Sequence, residues 1–530
     1  MEEEIKETGF DRKKFIQVVR DPSIIWDIII IGGGATGLGA ALDSGSRGYK
    51  TLLLEQADFS SGTSSRSTKL AHGGVRYLAQ GNISLVTEAL HERGLLLKNA
   101  PHLVKMLPFI IPSYDWWGKY FYGMGLKIYD WMAWELRMGK TVLLSLEEIK
   151  DLMPDIKMKG LNGGVLYFDG QFDDSRLAIN LAQTCAENGG ILLNYMKVTS
   201  LIKDETGKIS GVTARDEIDG EEFTLSSKIV INATGIFVDE ILKMNSEIKN
   251  PIVTFSQGIH LVLDRSFFRG DHALMIPATS DGRVLFAVPW HEHLLVGTTD
   301  TPLKSPNLEP VALKSEISFV LNNLATYLEK PPEKKDILSV FAGLRPLVVP
   351  EEKMETKEIS RDHKLMTSPS HLITITGGKW TTYRKMAEDV INQAIKLGDL
   401  EPKGCKTMNL KIHGYTTQIN EPSHLEIYGS DREKIKELIA ENSELNAKLH
   451  PAFPNIKAEI VWIVRNEMAI TVNDVLARRL RILFLNARAA IEMAPEVSHL
   501  MAKELQKNAE WEKEQVKNFV ELAQNYLPEA

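Results

Sequence analysis

Hydrophobic and polar residues are arranged with two different periods in the first part of the chain. An unbroken apolar run at residues 28–31 precedes the glycine-rich sequence GGGATG, helix-forming residues follow, and a second apolar run at 51–54 ends at Glu55. Short continuous apolar runs are typical of parallel strands that are buried on both faces. We therefore predict a strand–helix–strand unit over residues 26–55.

The turn after the first predicted strand has the glycine spacing of a dinucleotide-binding site. Gly32, Gly34 and Gly37 give the pattern Gly-x-Gly-x-x-Gly. The first glycine allows a tight turn, the second allows close approach of a pyrophosphate, and the third lets the helix pack closely. Glu55 can accept hydrogen bonds from ribose hydroxyls and would repel a 2′-phosphate, which disfavours NADP. A glycine turn without a ligand is the alternative, and the surrounding strand–helix–strand pattern disfavours it.

The periodicity of the remaining chain changes near residue 400. Before that point, helical patterns at 82–100, 177–187 and 381–397 alternate with strand patterns, whereas a helical pattern dominates afterwards. The predicted strands are 191–194, 198–202, 211–215, 223–225, 228–232, 258–263, 284–288, 294–297, 337–341 and 372–376. The predicted C-terminal helices are 432–439, 457–468, 472–493 and 495–526.

An aromatic segment at residues 109–137 has two interpretations. It contains four of the nine tryptophans with basic residues between them. A buried pair of aromatic helices explains this composition, and so does a surface at the headgroup boundary of a membrane, where aromatic and basic side chains are favoured. The sequence leaves both open. The residues concerned are Trp116, Trp117, Trp131, Trp134, Lys119, Lys127 and Arg137.

Composition narrows the class of protein. The 530 residues carry a net charge of −8, which argues against nucleic acid as a partner. Cys185 and Cys405 are the only cysteines, so a disulfide framework or a thiolate metal site is excluded and we expect no metal. The polar N-terminus lacks the apolar core of a signal peptide, and no run of 18 apolar residues predicts a membrane span. We expect a cytoplasmic protein.

Several longer motifs, in order, carry a resemblance to a known family. GGGATG, TSSRSTKLAHGGVRYL, NATG, GTTD, AGLRPL, SRD and GGKWTTYRKMAE extend over about residues 25–395, and ITVNDVLARRLRI follows at 470–482. Together they resemble the FAD-dependent glycerol-3-phosphate dehydrogenases of the amino-acid-oxidase-like flavoprotein superfamily. The resemblance implies FAD as cofactor, oxidation of sn-glycerol 3-phosphate to dihydroxyacetone phosphate, and transfer of the electrons to membrane quinone from the cytoplasmic membrane face.

The expected fold class is α/β (α+β). A Rossmann-like FAD-binding domain is interleaved with an antiparallel-sheet substrate domain, and an all-helical C-terminal domain follows. After a polar lead-in at 1–23, we expect FAD-binding parts at about 24–100, 160–245 and 370–400. The substrate parts are expected at about 101–159 and 246–369, and the helical domain at 401–530.

A phosphomonoester dianion requires several fixed cations, for which guanidinium groups are suited because they bind bidentately. Strand alternation places Ile259, Leu261 and Leu263 on one face and His260 on the other, towards the expected cavity. The resemblance implies a substrate pocket of Arg76, Tyr77, His260, Arg345, Arg361 and Lys379. The expected cofactor-binding residues are Gly32, Gly34, Gly37, Glu55, Ser64, Ser65, His72, Gly73, Gly235, Asp300, Gly377 and Gly378.

We assign His260 as the base that takes the hydroxyl proton, because an unperturbed histidine titrates near neutral pH. Lys379 or Arg345 is expected to stabilise the developing alkoxide. Arg66 and Trp380 receive no functional role.

Two other functions share these features. An oxidase of the same substrate would use oxygen and release peroxide, and a flavin-bound scaffold would have no activity. The set of pocket cations argues against the scaffold, because a scaffold has no use for buried unpaired cations. We expect peripheral membrane contact at the inner face of the cell membrane and a role in glycerol catabolism, with a homodimer as a candidate assembly.

Overall fold

The computed structural model describes residues 9–74, 82–245, 250–349, 362–418 and 423–528. Its strands belong to two sheets, of eight and ten described strands. Both sheets draw strands from distant parts of the chain, so the cofactor and substrate parts are interleaved, as the fold class predicts. The mixed α/β architecture with a helical C-terminal region is confirmed.

The first sheet is built around the predicted strand–helix–strand unit. Ile25–Ile31 pairs in parallel with Thr51–Leu54 on one side and with Glu222–Asn232 on the other. Ile28, Ile29 and Ile30 are fully buried, which explains the unbroken apolar run. The other strands of this sheet are Ile191–Leu193, Leu372–Gly377, His363–Thr367, Met196–Lys203 and Ile209–Asp216.

Helices cover this sheet and join it to a single hydrophobic core. Ala35–Ser46, Asp174–Glu187 and Tyr383–Leu397 contribute their apolar residues to that core. Because the central strands of this sheet are parallel, their carboxyl ends lie at one edge of the sheet, where open α/β sheets bind their ligands. The other described α-helices outside the C-terminal region are Arg12–Val19, Ile83–Asn99, Gly118–Met132, Leu146–Leu152, Val238–Asn245 and Lys314–Ala325.

The second sheet is mostly antiparallel. Its long central strand, Val253–Asp264, pairs with Ile337–Val348 and with His293–Gly297. The remaining strands are Leu70–Ala71, Val104–Pro112, Val142–Leu144, Gly164–Phe172, Ala273–Ile276, Leu285–Trp290 and Thr301–Leu303.

Three strands lie in a different sheet from the rest of the part of the chain to which the domain prediction assigned them. Leu70–Ala71 and Gly164–Phe172 pair within the second sheet, although residues 24–100 and 160–245 were expected to bind FAD. His363–Thr367 pairs within the first sheet, although residues 246–369 were expected to bind substrate. Strand periodicity does not reveal the partner strand, and we therefore propose domain boundaries near residues 173 and 362.

The C-terminal region is helical, with breaks that differ from those predicted. The predicted helix 472–493 is divided at Arg481, whose φ of 67° is left-handed, and Pro495 lies inside a helix instead of at its start. Most of the helices of this region pack in one cluster with Val262, Leu295 and Phe341 of the second sheet, whereas Arg432–Glu441 belongs to a separate cluster. The helices of the region are Arg432–Glu441, Lys457–Asn466, Ile482–Leu485, Ala487–Leu505 and Ala509–Gln524, with a π-helix at Asp474–Arg479.

The helix Gly118–Met132 carries aromatic side chains into solvent. Trp116, Trp131 and Trp134 are 73%, 72% and 74% exposed, so the segment is not a buried aromatic helix pair. Only a narrow face of this helix, which includes Leu126 and Tyr129, contributes to a hydrophobic core. We call the exposed set the aromatic surface: Trp116, Trp117, Tyr120, Phe121, Met124, Ile128, Trp131, Trp134, Val142 and Leu143. None of the described helices has the length and apolar character that crossing a membrane requires.

Candidate active site

A cavity of about 490 Å³ connects the two sheets. One end lies at the carboxyl edge of the parallel strands, beside Gly32 and Glu55. The other end lies against the second sheet, beside His260 and Arg345. The cavity therefore joins the predicted dinucleotide site to the predicted substrate pocket. The expected site residues on its wall are Gly32, Gly34, Glu55, Ser64, His72, Gly235, His260, Asp300, Arg345, Gly377, Gly378 and Lys379.

The glycine turn has the backbone geometry that its spacing predicts. Gly32 has a φ of 107°, and a Cβ at this position would lie 2.7 Å from the carbonyl oxygen of Ala233. A Cβ on Gly37 would overlap the carbonyl oxygen of Gly32. Gly32 is required because of its positive φ and the nearby Ala233 carbonyl, and Gly37 is required because the helix Ala35–Ser46 starts in contact with the turn. The N-terminus of that helix faces the cavity, as phosphate binding requires.

Glu55 is held by the backbone of its surroundings. Its carboxylate accepts hydrogen bonds from Gly33 N at 2.6 Å and from Ala57 N at 2.9 Å. Burial raises the pKa of Glu55, and the two backbone donors oppose that shift. Each carboxylate oxygen has a second lone pair with which it can accept a ribose hydroxyl. The structure thus fits the expected role of Glu55.

The long polar loop after Glu55 contributes several side chains that organise the cavity wall. Ser64 Oγ accepts from Ala35 N at 2.9 Å and so caps the glycine-turn helix. Gly73 N donates to Tyr129 Oη at 2.7 Å, and a Cβ on Gly73 would collide with the same tyrosine. Ser65 lies behind the wall, where its carbonyl accepts from Lys69 and Arg481.

The substrate end of the cavity contains a guanidinium with fixed orientation. Arg345 donates from Nη2 to Thr298 Oγ1 at 3.0 Å and from Nη1 to the carbonyl of Thr299 at 3.1 Å. Ser256 bridges Arg345 and Asp300, accepting from the first and donating to the second. Gly258 leaves room for Arg345 in this orientation, because a Cβ there would collide with the guanidinium as it is placed. The arginine is therefore positioned before any ligand binds.

His260 is the histidine that the strand alternation placed towards the cavity, and the structure places it there. Its side chain is buried, its ring stacks on Phe341 with centroids 4.9 Å apart, and its Nε2 lies 2.9 Å from Thr68 Oγ1. Burial, together with the positive charges of Lys69 and Arg345, lowers the pKa of His260 well below 6.5. The ring is therefore neutral at pH 7 and able to accept a proton. Its pKa is not the near-neutral value that the sequence argument assumed.

Lys379 and His72 lie together on the cavity wall. Burial and the charges of Lys379 and Arg93 lower the pKa of His72 to about 3. A histidine with that pKa stays neutral, as expected for a side chain that packs against a cofactor. Gly377 and Gly378, with φ of 79° and 74°, shape the turn before Lys379.

Three predicted substrate ligands lie outside the described residues. They are Arg76, Tyr77 and Arg361. Their assignment stays a prediction.

Sequence reasoning also missed several contributors. Trp380 lines the cavity and donates from Nε1 to the carbonyl of Ser64 at 2.8 Å. Arg66 is buried and donates to Glu309, Tyr526 and the carbonyl of Ala342. Thr68 contacts His260. The polar, glycine-rich composition of the loop signalled function, but no local pattern distinguishes these side chains from their neighbours.

A glycine turn on a parallel sheet, a ribose-binding carboxylate and a cavity extending to a second sheet define a flavoprotein oxidoreductase. Residues 27–384 match the family described as FAD dependent oxidoreductase, and residues 369–515 match the C-terminal domain of alpha-glycerophosphate oxidase. The chain belongs to the FAD-dependent glycerol-3-phosphate dehydrogenases, and FAD is its cofactor.

Individual relatives support this assignment. The chain is 39% identical to a mitochondrial glycerol-3-phosphate dehydrogenase of Bos taurus, over 95% of this chain and 73% of the relative. A mitochondrial glycerol-3-phosphate dehydrogenase of Arabidopsis thaliana is 38% identical, over 94% of this chain and 86% of the relative. The crystal structure of glycerol-3-phosphate dehydrogenase from Bacillus halodurans complexed with FAD superposes with a TM-score of 0.80, 27% identity and 98% coverage of both chains.

Proposed function

We propose that the enzyme oxidises sn-glycerol 3-phosphate to dihydroxyacetone phosphate and delivers the electrons to a membrane quinone, as a step of glycerol catabolism. The observation that carries the proposal is the cavity that joins the dinucleotide site to Arg345 and His260. It brings the residues that would hold the flavin, an anion-binding guanidinium and a neutral imidazole to one place. The relatives named glycerol-3-phosphate dehydrogenase support the choice of substrate.

Bound FAD supplies the acceptor for the hydride that leaves the central carbon of the substrate. His260 then takes the proton of the hydroxyl on that carbon, for which its neutral state at pH 7 is required. Arg345, fixed by Thr298 and Thr299, stabilises negative charge on the reacting oxygen. Lys379 adds a second positive charge on the cavity wall. Arg76, Tyr77 and Arg361 complete the proposed phosphate site.

Membrane contact is proposed through the aromatic surface. Tryptophan and tyrosine prefer the headgroup boundary, where an apolar ring and a polar group are both accommodated. Lys119 and Lys127 lie on the same helix and can reach lipid phosphates. Nine members of this surface are hydrophobic side chains that are at least 45% exposed. A contiguous exposed apolar patch of this kind is typical of an interaction site. We place the enzyme at the inner face of the cell membrane.

The helix Gly118–Met132, which carries half of the residues of the aromatic surface, packs by its buried face into a hydrophobic cluster that also borders the cavity, and this arrangement supports electron transfer at the membrane. Leu126 and Tyr129, on the buried face of the helix, pack in the same cluster as Phe109, Tyr167 and Met275. The last three also line the cavity. A quinone dissolved in the bilayer would therefore approach the cavity from this side.

An anaerobic titration of the purified protein with sn-glycerol 3-phosphate, followed by flavin absorbance, tests the proposal. We expect bleaching by substrate, recovery on addition of a quinone and only slow recovery in air. Rapid recovery in air with release of peroxide would identify an oxidase instead. A flavin-loaded protein that does not bleach would contradict both functions.

A further inference from the structure

The segment Ser65–Lys69 passes between the cavity and the C-terminal helical region. Ser67 and Thr68 line the cavity, and Thr68 contacts His260. Ser65 and Lys69 do not line it, and the Ser67 hydroxyl and Lys69 are both anchored on Asp174. This arrangement connects a cavity wall to a region of the chain that contributes none of the residues lining the described cavity.

The anchor is a buried carboxylate, Asp174, at the start of the helix Asp174–Glu187. Its Oδ2 accepts from Ser67 N at 3.0 Å, Ser67 Oγ at 2.7 Å and Lys69 Nζ at 2.7 Å. Its Oδ1 accepts from Arg481 Nη2 at 2.9 Å. A carboxylate with charged and neutral donors on both oxygens, in a site without solvent, has a single well-defined orientation.

Arg481 comes from the C-terminal region and reaches the same segment directly. Its Nη2 also donates to the carbonyl of Ser65 at 2.9 Å, and its Nη1 donates to the carbonyl of Ala477 at 2.9 Å. The side chain is buried, and its guanidinium lies over the Phe484 ring at 4.5 Å. The left-handed backbone at Arg481 costs free energy that these contacts offset.

The orientation of the His260 ring depends on few contacts. Among the described residues its Nδ1 has no hydrogen-bond partner, so the Thr68 hydroxyl is the polar group that orients the ring. Thr68 is β-branched, and a fixed backbone therefore fixes its hydroxyl. The ring's other support is Phe341, which packs against Phe484 with centroids 4.7 Å apart. Both supports of the imidazole therefore extend to the C-terminal region.

We propose that Arg481 is a positioning residue for His260, acting through Asp174 and the segment Ser65–Lys69, whose Thr68 hydroxyl orients the imidazole. This assignment rests on the proposed role of His260 as the base. It gives the C-terminal helical region a part in the reaction, because that region supplies the guanidinium that fixes the cavity wall.

The test is a double-mutant cycle on the full-length, FAD-loaded enzyme, with the limiting rate of anaerobic flavin bleaching by substrate as the measured quantity. Thr68→Val should lower this rate about tenfold or more with a smaller effect on the substrate Kd, because it disturbs general-base catalysis. Thr68→Ser, which keeps the hydroxyl, should restore most of the rate. Arg481→Lys should be slower by about fivefold, and the double variant no slower than Thr68→Val, because residues acting in series are not additive.

Arg478→Lys is the matched control, since Arg478 is also buried in the adjacent π-helix but bonds Asp58 and Asp474. The factor by which Arg478→Lys changes the bleaching rate should multiply with the factor for Thr68→Val, as expected for independent sites. A second readout is the ¹⁵N chemical shift of the His260 imidazole, whose signal is assigned by its loss in His260→Gln. This shift should change in Arg481→Lys and in Thr68→Val but not in Arg478→Lys. If Arg481→Lys does not retain FAD, Ser67→Ala takes its place in the cycle.

Multiplicative effects of Arg481→Lys and Thr68→Val, or an unchanged His260 signal in both, would overturn the positioning role. A fast His260→Ala variant would instead overturn the proposed base. The two failures are therefore distinguishable.

Discussion

The indole Nε1 of Trp380 donates a hydrogen bond to the carbonyl of Ser64 at 2.8 Å. This contact joins the turn after the last parallel strand to the polar loop after the second strand, and Ser64 in turn caps the glycine-turn helix. Trp380 also packs edge-on against Phe172 and Tyr383, with centroids 5.5 and 5.6 Å away. One tryptophan thus connects three segments of the cofactor cavity.

Trp380→Phe removes the hydrogen bond and keeps an aromatic ring. We expect the Kd for FAD to rise about tenfold, since losing the bond and leaving the Ser64 carbonyl without it costs about 1–2 kcal/mol. Apoprotein titrated with FAD by fluorescence measures the change. Trp116→Phe, on the exposed surface, serves as control and should leave the Kd unchanged. Equal affinities for both variants would show that the contact does not support the cofactor site.

His260→Ala is expected to lower turnover about 100-fold or more, because general-base catalysis contributes at least that factor. The variant should retain FAD, since the ring bonds Thr68 and stacks on Phe341 at the substrate end. His499→Ala, at an exposed position, is the control. Steady-state kinetics with a soluble electron acceptor gives the comparison, and a loss of less than about tenfold contradicts the assignment of His260 as the base.

The pH profile of the wild-type enzyme tests the electrostatics of His260. Burial and two neighbouring cations lower its pKa well below 6.5, so the neutral ring persists as the pH falls through 6.5. The rise of kcat/KM with pH that follows deprotonation of His260 should therefore be centred below pH 6.5. A limb centred near pH 7 that disappears in His260→Gln would show that the cations do not act on the ring as the structure indicates.

The sequence predicted those parts of the site that depend on local pattern. The glycine turn, the strand to Glu55 and the alternation around His260 are each determined within a few residues, and the structure has them as expected. The contacts of Thr68, Arg66 and Arg481 join positions hundreds of residues apart, so no local period reveals them. The break at Arg481 was missed because buried hydrogen bonds, and not a glycine or proline, stabilise it.

Whether the aromatic segment is buried or exposed could not be predicted from its sequence. Aromatic residues occur on most faces of the helix Gly118–Met132, so its pattern fits burial and interface equally well. Only the packing partners decide, and they cover the narrow face with Leu126 and Tyr129.

His413 links the C-terminal region to the helix Asp174–Glu187 through a pH-dependent contact. It bonds Glu187 at 2.5 Å and Asp431 at 2.6 Å. Burial lowers the pKa of His413, but the two carboxylates outweigh burial and raise it to about 9. The stabilisation is therefore fully present below pH 6.5 and is lost as the pH rises through about 9.

Replacement of His413 by glutamine should lower the melting temperature by several degrees at pH 6. The difference from wild type should disappear above pH 10, where the wild-type imidazole is neutral. Thermal unfolding across this range measures it, with His499→Gln as a control that has one exposed carboxylate contact. A destabilisation that is constant from pH 6 to pH 10 would mean that the charge of His413 makes no contribution.

The aromatic surface should bind membranes through its exposed tryptophans. Replacing Trp131 and Trp134 together by glutamate removes two rings that are more than 70% exposed and adds charge that the headgroup boundary disfavours. We expect binding to vesicles that contain anionic lipid to weaken by about tenfold or more, because each indole transferred from water contributes on the order of 1–2 kcal/mol. Co-sedimentation with vesicles measures the bound fraction, and FAD content verifies folding. Ile218→Glu is the matched control, since Ile218 is exposed in the turn between two strands of the first sheet, Ile209–Asp216 and Glu222–Asn232. Undiminished binding by the tryptophan variant, or an equal loss with Ile218→Glu, would exclude this surface as the site of membrane contact.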